Sequence, residues 1–243
     1  MRAAALALAF AAPVVLAADG SSVVAFSQAP PGATAPAPWR ELILHYVRRP
    51  QFALVDDAGT TVLRVTSQRA AGTLAHPLHL DAARKPMLAW RWKVDRVIEH
   101  ANLATRSGDD FAARVYVFFD VPSMELPVGA RIKLAVARLI YGNEVPAAAL
   151  CYVWDNTHPV GTSVWSPYTD RVRVVVLESG SARAGQWVEE KRDVASDYRA
   201  AFGTRARLPP VSGIAAGNDT DQTGETVSAW FGDFRFGPAE GAR

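Results

Sequence analysis

Apolar residues recur at every second position in several short runs, the period of strands with one buried face. In "LAWRWKV" the set Leu88, Trp90, Trp92 and Val94 is apolar, while Ala89, Arg91 and Lys93 fall on the opposite face. In "DDFAARVYVFF" the set Phe111, Ala113, Val115, Val117 and Phe119 is uniformly apolar, which turns Asp110, Ala112, Arg114, Tyr116 and Phe118 the other way. The division is less clean in "CYVWD"; with Val153 and Cys151 directed to the core, Tyr152 and Trp154 point outward. Further β-rich runs, "LILHYV", "FALVDDAGTTVLRVTS", "RVRVVVLES", "VSGIAAG" and "VSAWFGDFRF", are spread along the chain between turn signals. Many strands with little helix between them predict an all-β protein, an antiparallel sandwich of jelly-roll type.

Two helical patterns interrupt the strands. In "GARIKLAVARLIYG" the residues Ile132, Val136, Leu139 and Ile140 share one face, and in "RDVASDYRAAFG" Asp193 is placed to cap a short helix that buries Val194, Tyr198 and Phe202 and stops at Gly203. Asp56-Asp57-Ala58-Gly59 has the chemistry of a hairpin turn joining Phe52–Val55 to Val62–Val65. The stretch "SQAPPGATAPAP" from Ser27 to Pro38 reads as an extended surface lead-in.

If the strands share a sheet, its outer face displays Arg91, Asp110, Arg114, Tyr116, Tyr152 and Trp154. Aromatic surface beside hydrogen-bonding charges suits sugar rings, whose C–H faces stack on aromatics while their hydroxyls take directional bonds. The competing expectation is that other elements cover this face and that Arg114 pairs with Asp110 as a structural ion pair.

Composition narrows the setting. The 243 residues are 49% hydrophobic, enough for one substantial core, and the formal charge of +2 gives no basic surface for nucleic acid. Arg2 precedes an apolar run from Ala3 to Val15 with small residues at Ala17 and Ala18, the pattern of a secretory signal peptide cleaved after one of those alanines. The expected division is a signal peptide over 1–18, a lead-in over 19–38 and one β-sandwich over 39–238, with no membrane span after cleavage. The single cysteine, Cys151, lies in an apolar run and cannot form an internal disulfide, in keeping with a periplasmic or secreted protein that relies on its core.

No G-x-S-x-G elbow, Walker loop, dinucleotide fingerprint or H-E-x-x-H occurs. His76 and His79 are three apart, a spacing that puts them on opposite faces of a strand. A glycosidase needs two carboxylates across a cleft, and Asp109, Asp110, Asp155, Asp193, Asp219 and Asp221 are candidates; a lyase would use Arg91 or Arg114 to neutralise a uronate. Asp219-Thr220-Asp221-Gln222-Thr223-Gly224 reproduces the first half of an EF-hand loop, but the twelfth position is Trp230 rather than a bidentate glutamate. That segment is a turn whose side chains bond to the local backbone, or a calcium site completed by distant residues.

With "LAWRWKV", "GDDFAARVYVFFD", "YVWDN", "EEKRDVASDYRAAFG" and "NDTDQTGETVSAWFGDFRF" occurring in that order, the chain resembles the bacterial family catalogued as domain of unknown function 3047, from about Phe52 to Phe236. The resemblance implies an exported, single-domain protein and carries over no catalytic residue. The family's pattern is similar to jelly-roll sugar-binding modules in which a late strand places acidic residues near a structural calcium. By that analogy Asp233 joins Asp219 and Asp221 as the expected metal set. Together these readings lean away from an enzyme and predict a protein that binds a carbohydrate or cell-envelope glycan, with a polysaccharide-active enzyme and an envelope scaffold or protein-interaction domain as the alternatives.

Overall fold

The computed structural model describes residues 22–42, 47–126, 128–129, 131, 147–204 and 207–239. Strands β1 (Arg40–Leu42), β4 (Ala71–Leu80), β6 (Phe111–Phe119), β7 (Ala148–Asp155), β8 (Ser163–Ser166), β9 (Thr169–Ser179) and β11 (Val211–Asp219) form one sheet in the order β1-β4-β11-β6-β7-β9-β8. Strands β2 (Gln51–Asp57), β3 (Thr60–Gln68), β5 (Met87–Val94), β10 (Val188–Asp193) and β12 (Thr226–Phe231) form the second, in the order β10-β5-β12-β3-β2, and β13 (Arg235–Gly237) pairs with β5. All ladders are antiparallel except β7 with β9. The chain passes repeatedly between the sheets, from β3 to β4, β5, β6 and later β9 to β12, so the protein is an antiparallel-rich β-sandwich of jelly-roll type.

The core lies between the sheets. Leu88, Trp90, Trp92 and Val94 of β5 face Val115, Val117 and Phe119 of β6 and Tyr152 and Trp154 of β7, all buried. A smaller apolar cluster on the other side of the seven-stranded sheet gathers Leu103, Phe111, Cys151, Val153, Val174 and Val176. Apolar cover on both faces explains why every residue of β7 is buried.

The hairpin turn falls where the sequence places it. Asp57 pairs with Thr60, and Ala58 and Gly59 both take positive φ, at 53° and 81°. The one α-helix among the fully described elements, α1 (Val194–Phe202), is capped by the Asp193 carboxylate, which accepts from Ser196 N–H at 2.9 Å. Gly203, at φ 109°, ends it. The expected helix around Ile132–Ile140 and the leader over 1–18 lie outside the described residues.

The Ser27–Pro38 lead-in runs over the surface, exposed or half-buried along its length, and is held at its two ends. Phe26 is fully buried and stacks on Trp39 at 4.6 Å between ring centres. Val24 N–H donates to His76 Nε2, Trp39 Nε1 donates to the Val24 carbonyl, and Gly32 N–H donates to the Leu54 carbonyl. Two large aromatic rings flanking a Pro/Ala-rich stretch hold it against both sheets, because burying them removes more apolar area than prolines and alanines could.

Candidate functional site

The six residues expected on one outer face do not share one. Arg91 belongs to β5 in the six-stranded sheet, whereas Arg114, Tyr116, Tyr152 and Trp154 belong to the other sheet and Asp110 immediately precedes its strand β6. Tyr152 and Trp154 turn inward, the reverse of the expected phase. Tyr152 stacks on Trp90 and donates its hydroxyl to Asp197, and Trp154 Nε1 donates to the Gly180 carbonyl while its ring packs against Trp92. Their area explains the choice: two large rings bury more surface in the main core than Cys151 and Val153 would.

Arg114 and Tyr116 do point away from the core, but onto a covered surface. Arg114 pairs with Asp219 through Nη1, its side chain 9% exposed, and lies 5.4 Å from the Tyr116 ring. Its partner is thus Asp219 and not Asp110. Asp110 accepts from Gln222 N–H at 3.3 Å and from Thr223 N–H at 2.6 Å, which pins the acidic turn after β11 to the start of β6. Phe111, expected in the main core, joins the outer cluster instead. Gly217 pairs with Arg114 and Asp219 with Phe111, so β6 carries one extra residue there and the phase slips.

Carboxylate oxygens of Asp110, Asp219 and Asp221 lie within 4.8 Å of one another. Asp233, expected in that set, is instead engaged by Ser27, whose N–H and hydroxyl donate to its two oxygens at 3.1 and 2.6 Å. The acidic turn has its own partners: Phe111 N–H donates to Asp219, and the Arg114 guanidinium supplies a countercharge. Burial, working against the attraction of Arg114, pushes the neighbouring Asp109 carboxyl up to about 6. Burial also pushes the Cys151 thiol up to about 12, so it stays protonated.

A second set of side chains forms an open site on the outer face of the six-stranded sheet. Alternation on β5 sends Arg91 and Lys93 to that face; Trp230 of β12 lies beside Lys93 in register, and Trp187 stands just before β10. Lys93 Nζ lies 4.9 Å from the Trp187 ring and 5.0 Å from the Trp230 ring, and the Arg91 guanidinium lies 4.4 Å from Trp187. These contacts hold the cations over aromatic surface. Lys93 also pairs with Asp57, and this hydrogen bond holds the Asp57 carboxyl below its ordinary value.

Next to this platform is a cleft of about 700 Å³, with Ser27, Arg91, Glu189, Lys191, Asp233 and Arg235 among its lining residues. Gly232 makes room for it: a Cβ there would come 2.7 Å from Arg91 Cγ. Glu190 and Trp90 also contribute to the lining. Trp92 Nε1 donates to Glu190 Oε1 at 3.2 Å, and burial, reinforced by the charge of Glu178, pushes the Glu190 carboxyl up to about 7. Trp90 Nε1 is buried with no hydrogen-bond partner.

Of the expected ligand residues, this site contains Arg91 alone. The signal for Trp230 was present in "VSAWF", since Val227, Ala229 and Phe231 form an apolar set that leaves Ser228 and Trp230 outward. Trp187 had no such signal, because it precedes its strand.

The xyloglucanase domain of NopAA, a type three effector from Sinorhizobium fredii, is similar in structure at 7% identity and a TM-score of 0.46, over 86% of this chain and 96% of that one. Endoglucanase 3 of Trichoderma harzianum, from family GH12, is similar at 8% identity and a TM-score of 0.41, over 84% and 100%. The family 30 carbohydrate-binding module of a Clostridium thermocellum cellulosomal cellulase is similar at 12% identity and a TM-score of 0.37, over 90% and 94%. No curated protein matches the sequence. The profile of one family covers residues 37–235, and the chain belongs to that family, described as protein of unknown function DUF3047.

Proposed function

We propose that the protein is exported and binds a carbohydrate, a cell-envelope glycan, on the outer face of its six-stranded sheet. The observation that carries this reading is the juxtaposition of Trp187 and Trp230, with Arg91 and Lys93 held over their rings, and a cleft of about 700 Å³ beside them. Apolar ring surface next to pre-oriented N–H donors matches the two-sided chemistry of a sugar. Cations already ordered by ring contacts lose little further freedom when a ligand hydroxyl takes their hydrogen bonds. The apolar run over Ala3–Val15, read as a leader, supports a meeting with the glycan outside the cytoplasm.

The test is titration calorimetry with oligosaccharides of plant and bacterial envelope polysaccharides. Trp187→Ala and Trp230→Ala should each weaken binding by about tenfold or more, the loss typical of a ring at the centre of a contact. Both side chains are half-buried on the outer face, so the melting temperature should hardly move. Unchanged affinity in both variants would remove this face from the binding surface.

A further inference from the structure

A second pocket, of about 340 Å³, lies where α1 meets the β8–β9 end of the seven-stranded sheet. Alternation on β9 puts Arg173 on the same side as Val175 and Leu177, which belong to the main core, and β8 adds Ser163 and Trp165, in register with Val175 and Arg173. Ala200 and Ala201 of α1 complete the lining, and Phe202 meets the Trp165 ring edge-on at 5.5 Å. With Val160 at the rim, most of the wall is apolar.

The charges of this pocket do not cancel. Arg192 holds Asp197 through two hydrogen bonds, Nε to Oδ2 at 3.0 Å and Nη2 to Oδ1 at 2.6 Å, and the Tyr152 hydroxyl also donates to Oδ2. Arg173 is the one other charged residue of the lining, and no carboxylate pairs with it among the described residues. Its Nε donates to the Ser163 hydroxyl at 2.8 Å and its Nη2 to the Ser163 carbonyl at 2.9 Å, while the guanidinium lies 5.0 Å from the Trp165 ring. Ser163 thus takes one edge of the fork and leaves the edge between Nη1 and Nη2 open. Arg171, on the same side of β9, adds positive charge over the Phe202 ring at 5.1 Å and donates its Nε to the Ala147 carbonyl. Asp170, between the two arginines, is exposed and falls on the opposite side of the strand.

A guanidinium fixed along one edge and open along another is prepared for a carboxylate, whose two oxygens match its planar fork. Its orientation is set before a ligand arrives, so little further freedom is lost on binding. The volume and the apolar wall restrict the remainder of the ligand to a compact hydrophobic body. We propose that the pocket between α1 and β8–β9 binds a small organic acid, its carboxylate on the open edge of Arg173 and its apolar body against Val175, Leu177 and Ala201.

The experiment is a titration of the isotope-labelled full chain, followed through the NMR amide shifts of β8, β9 and α1, with benzoate, cyclohexanecarboxylate, benzamide and acetate as probes. Benzoate and cyclohexanecarboxylate should give saturable shifts there. Benzamide, of the same shape without the charge, should bind about tenfold or more weakly than benzoate, the worth of one charge-assisted contact. Acetate, without the apolar body, should also bind more weakly. Arg173→Met should erase the preference for benzoate over benzamide. Ala200→Leu, at an exposed helix position where leucine is well tolerated, narrows the pocket and should weaken both. Melting temperatures identify any variant that fails to fold, and the comparison of benzoate with benzamide needs no variant. Benzamide bound as tightly as benzoate, or a preference that survives Arg173→Met, overturns the assignment of a carboxylate to Arg173. Acetate bound as tightly as benzoate, or binding unchanged by Ala200→Leu, overturns the role of the apolar pocket. Absence of saturable shifts with both ring acids overturns the proposal, and none of these results bears on glycan binding at the six-stranded sheet.

Discussion

Asp109 has an uncomfortable position. One of its oxygens is buried without a hydrogen-bond partner, and Asp110 and Asp221 add negative charge around it while Arg114 is already committed to Asp219. The folded protein therefore binds a proton at Asp109 more tightly than the unfolded chain, near 6 against 3.8. The resulting penalty is absent below pH 3.8, grows through the window up to about 6, and is complete above it. Asp109→Asn is expected to raise stability by about 1–2 kcal/mol at pH 8 and to change little at pH 4, read from thermal melts at both values. An effect independent of pH would show that lost packing, rather than charge, dominates. The acidic segment after β11 was legible as a turn with oxygen donors at alternate positions. Its anchor, Asp110, was not, because that residue is more than a hundred positions away in sequence and the contact depends on β6 and β11 being neighbours.

At the scale of the element, legibility followed the contrast between the faces. On β5 burial alternates along the whole strand, so Trp90 and Trp92 inward and Arg91 and Lys93 outward could be read directly. On β7 apolar residues cover both faces, the period carries no phase, and the inward placement of Tyr152 and Trp154 follows from packing against Trp90 and Trp92. Sheet membership was the other missing piece: alternation sorts residues within a strand but not which strands are neighbours, and this separated Arg91 from Arg114. The β2–β3 hairpin was legible because its turn chemistry is local. It is also improvable, since Ala58 holds φ 53°, a left-handed conformation that a Cβ disfavours by about 1–2 kcal/mol. Ala58→Asn would create the Asn-Gly pair preferred in such turns and should stabilise the protein by about 1 kcal/mol without altering ligand binding. A melting temperature unchanged or lowered by Ala58→Asn would mean that the turn relaxes at no cost in the native chain.

Across the whole molecule, the segment from Val23 to Trp39 ties the two sheets together and touches the cleft. It reaches the seven-stranded sheet through His76, enters the core with Phe26, and meets the six-stranded side at Leu54 and at Asp233. His76 works in this strap only when neutral. Its Nε2 accepts from Val24 N–H while Nδ1–H donates to the Pro77 carbonyl, the Trp39 ring lies edge-on at 5.1 Å, and Ile214 is its neighbour across the ladder. Burial holds its pKa below 6.5, so the unfolded chain takes up the proton first. This contribution is therefore complete above pH 6.5 and is lost as pH falls through the folded value. The Asp109 carboxyl acts the other way, so acidification from pH 7 to 5 loosens the strap while easing the acidic turn. His76→Leu should lower the melting temperature at pH 7.5 and remove the part of the acid-induced loss that belongs to the strap, most clearly in an Asp109→Asn background where the opposing charge is gone. Because Ser27 in the strap holds Asp233 at the cleft, ligand affinity should fall over the same pH window in the parent and not in the His76→Leu chain. An Asp109→Asn chain with His76 intact whose affinity and melting temperature are flat from pH 7.5 to 5 would show that the strap stays docked on a protonated His76.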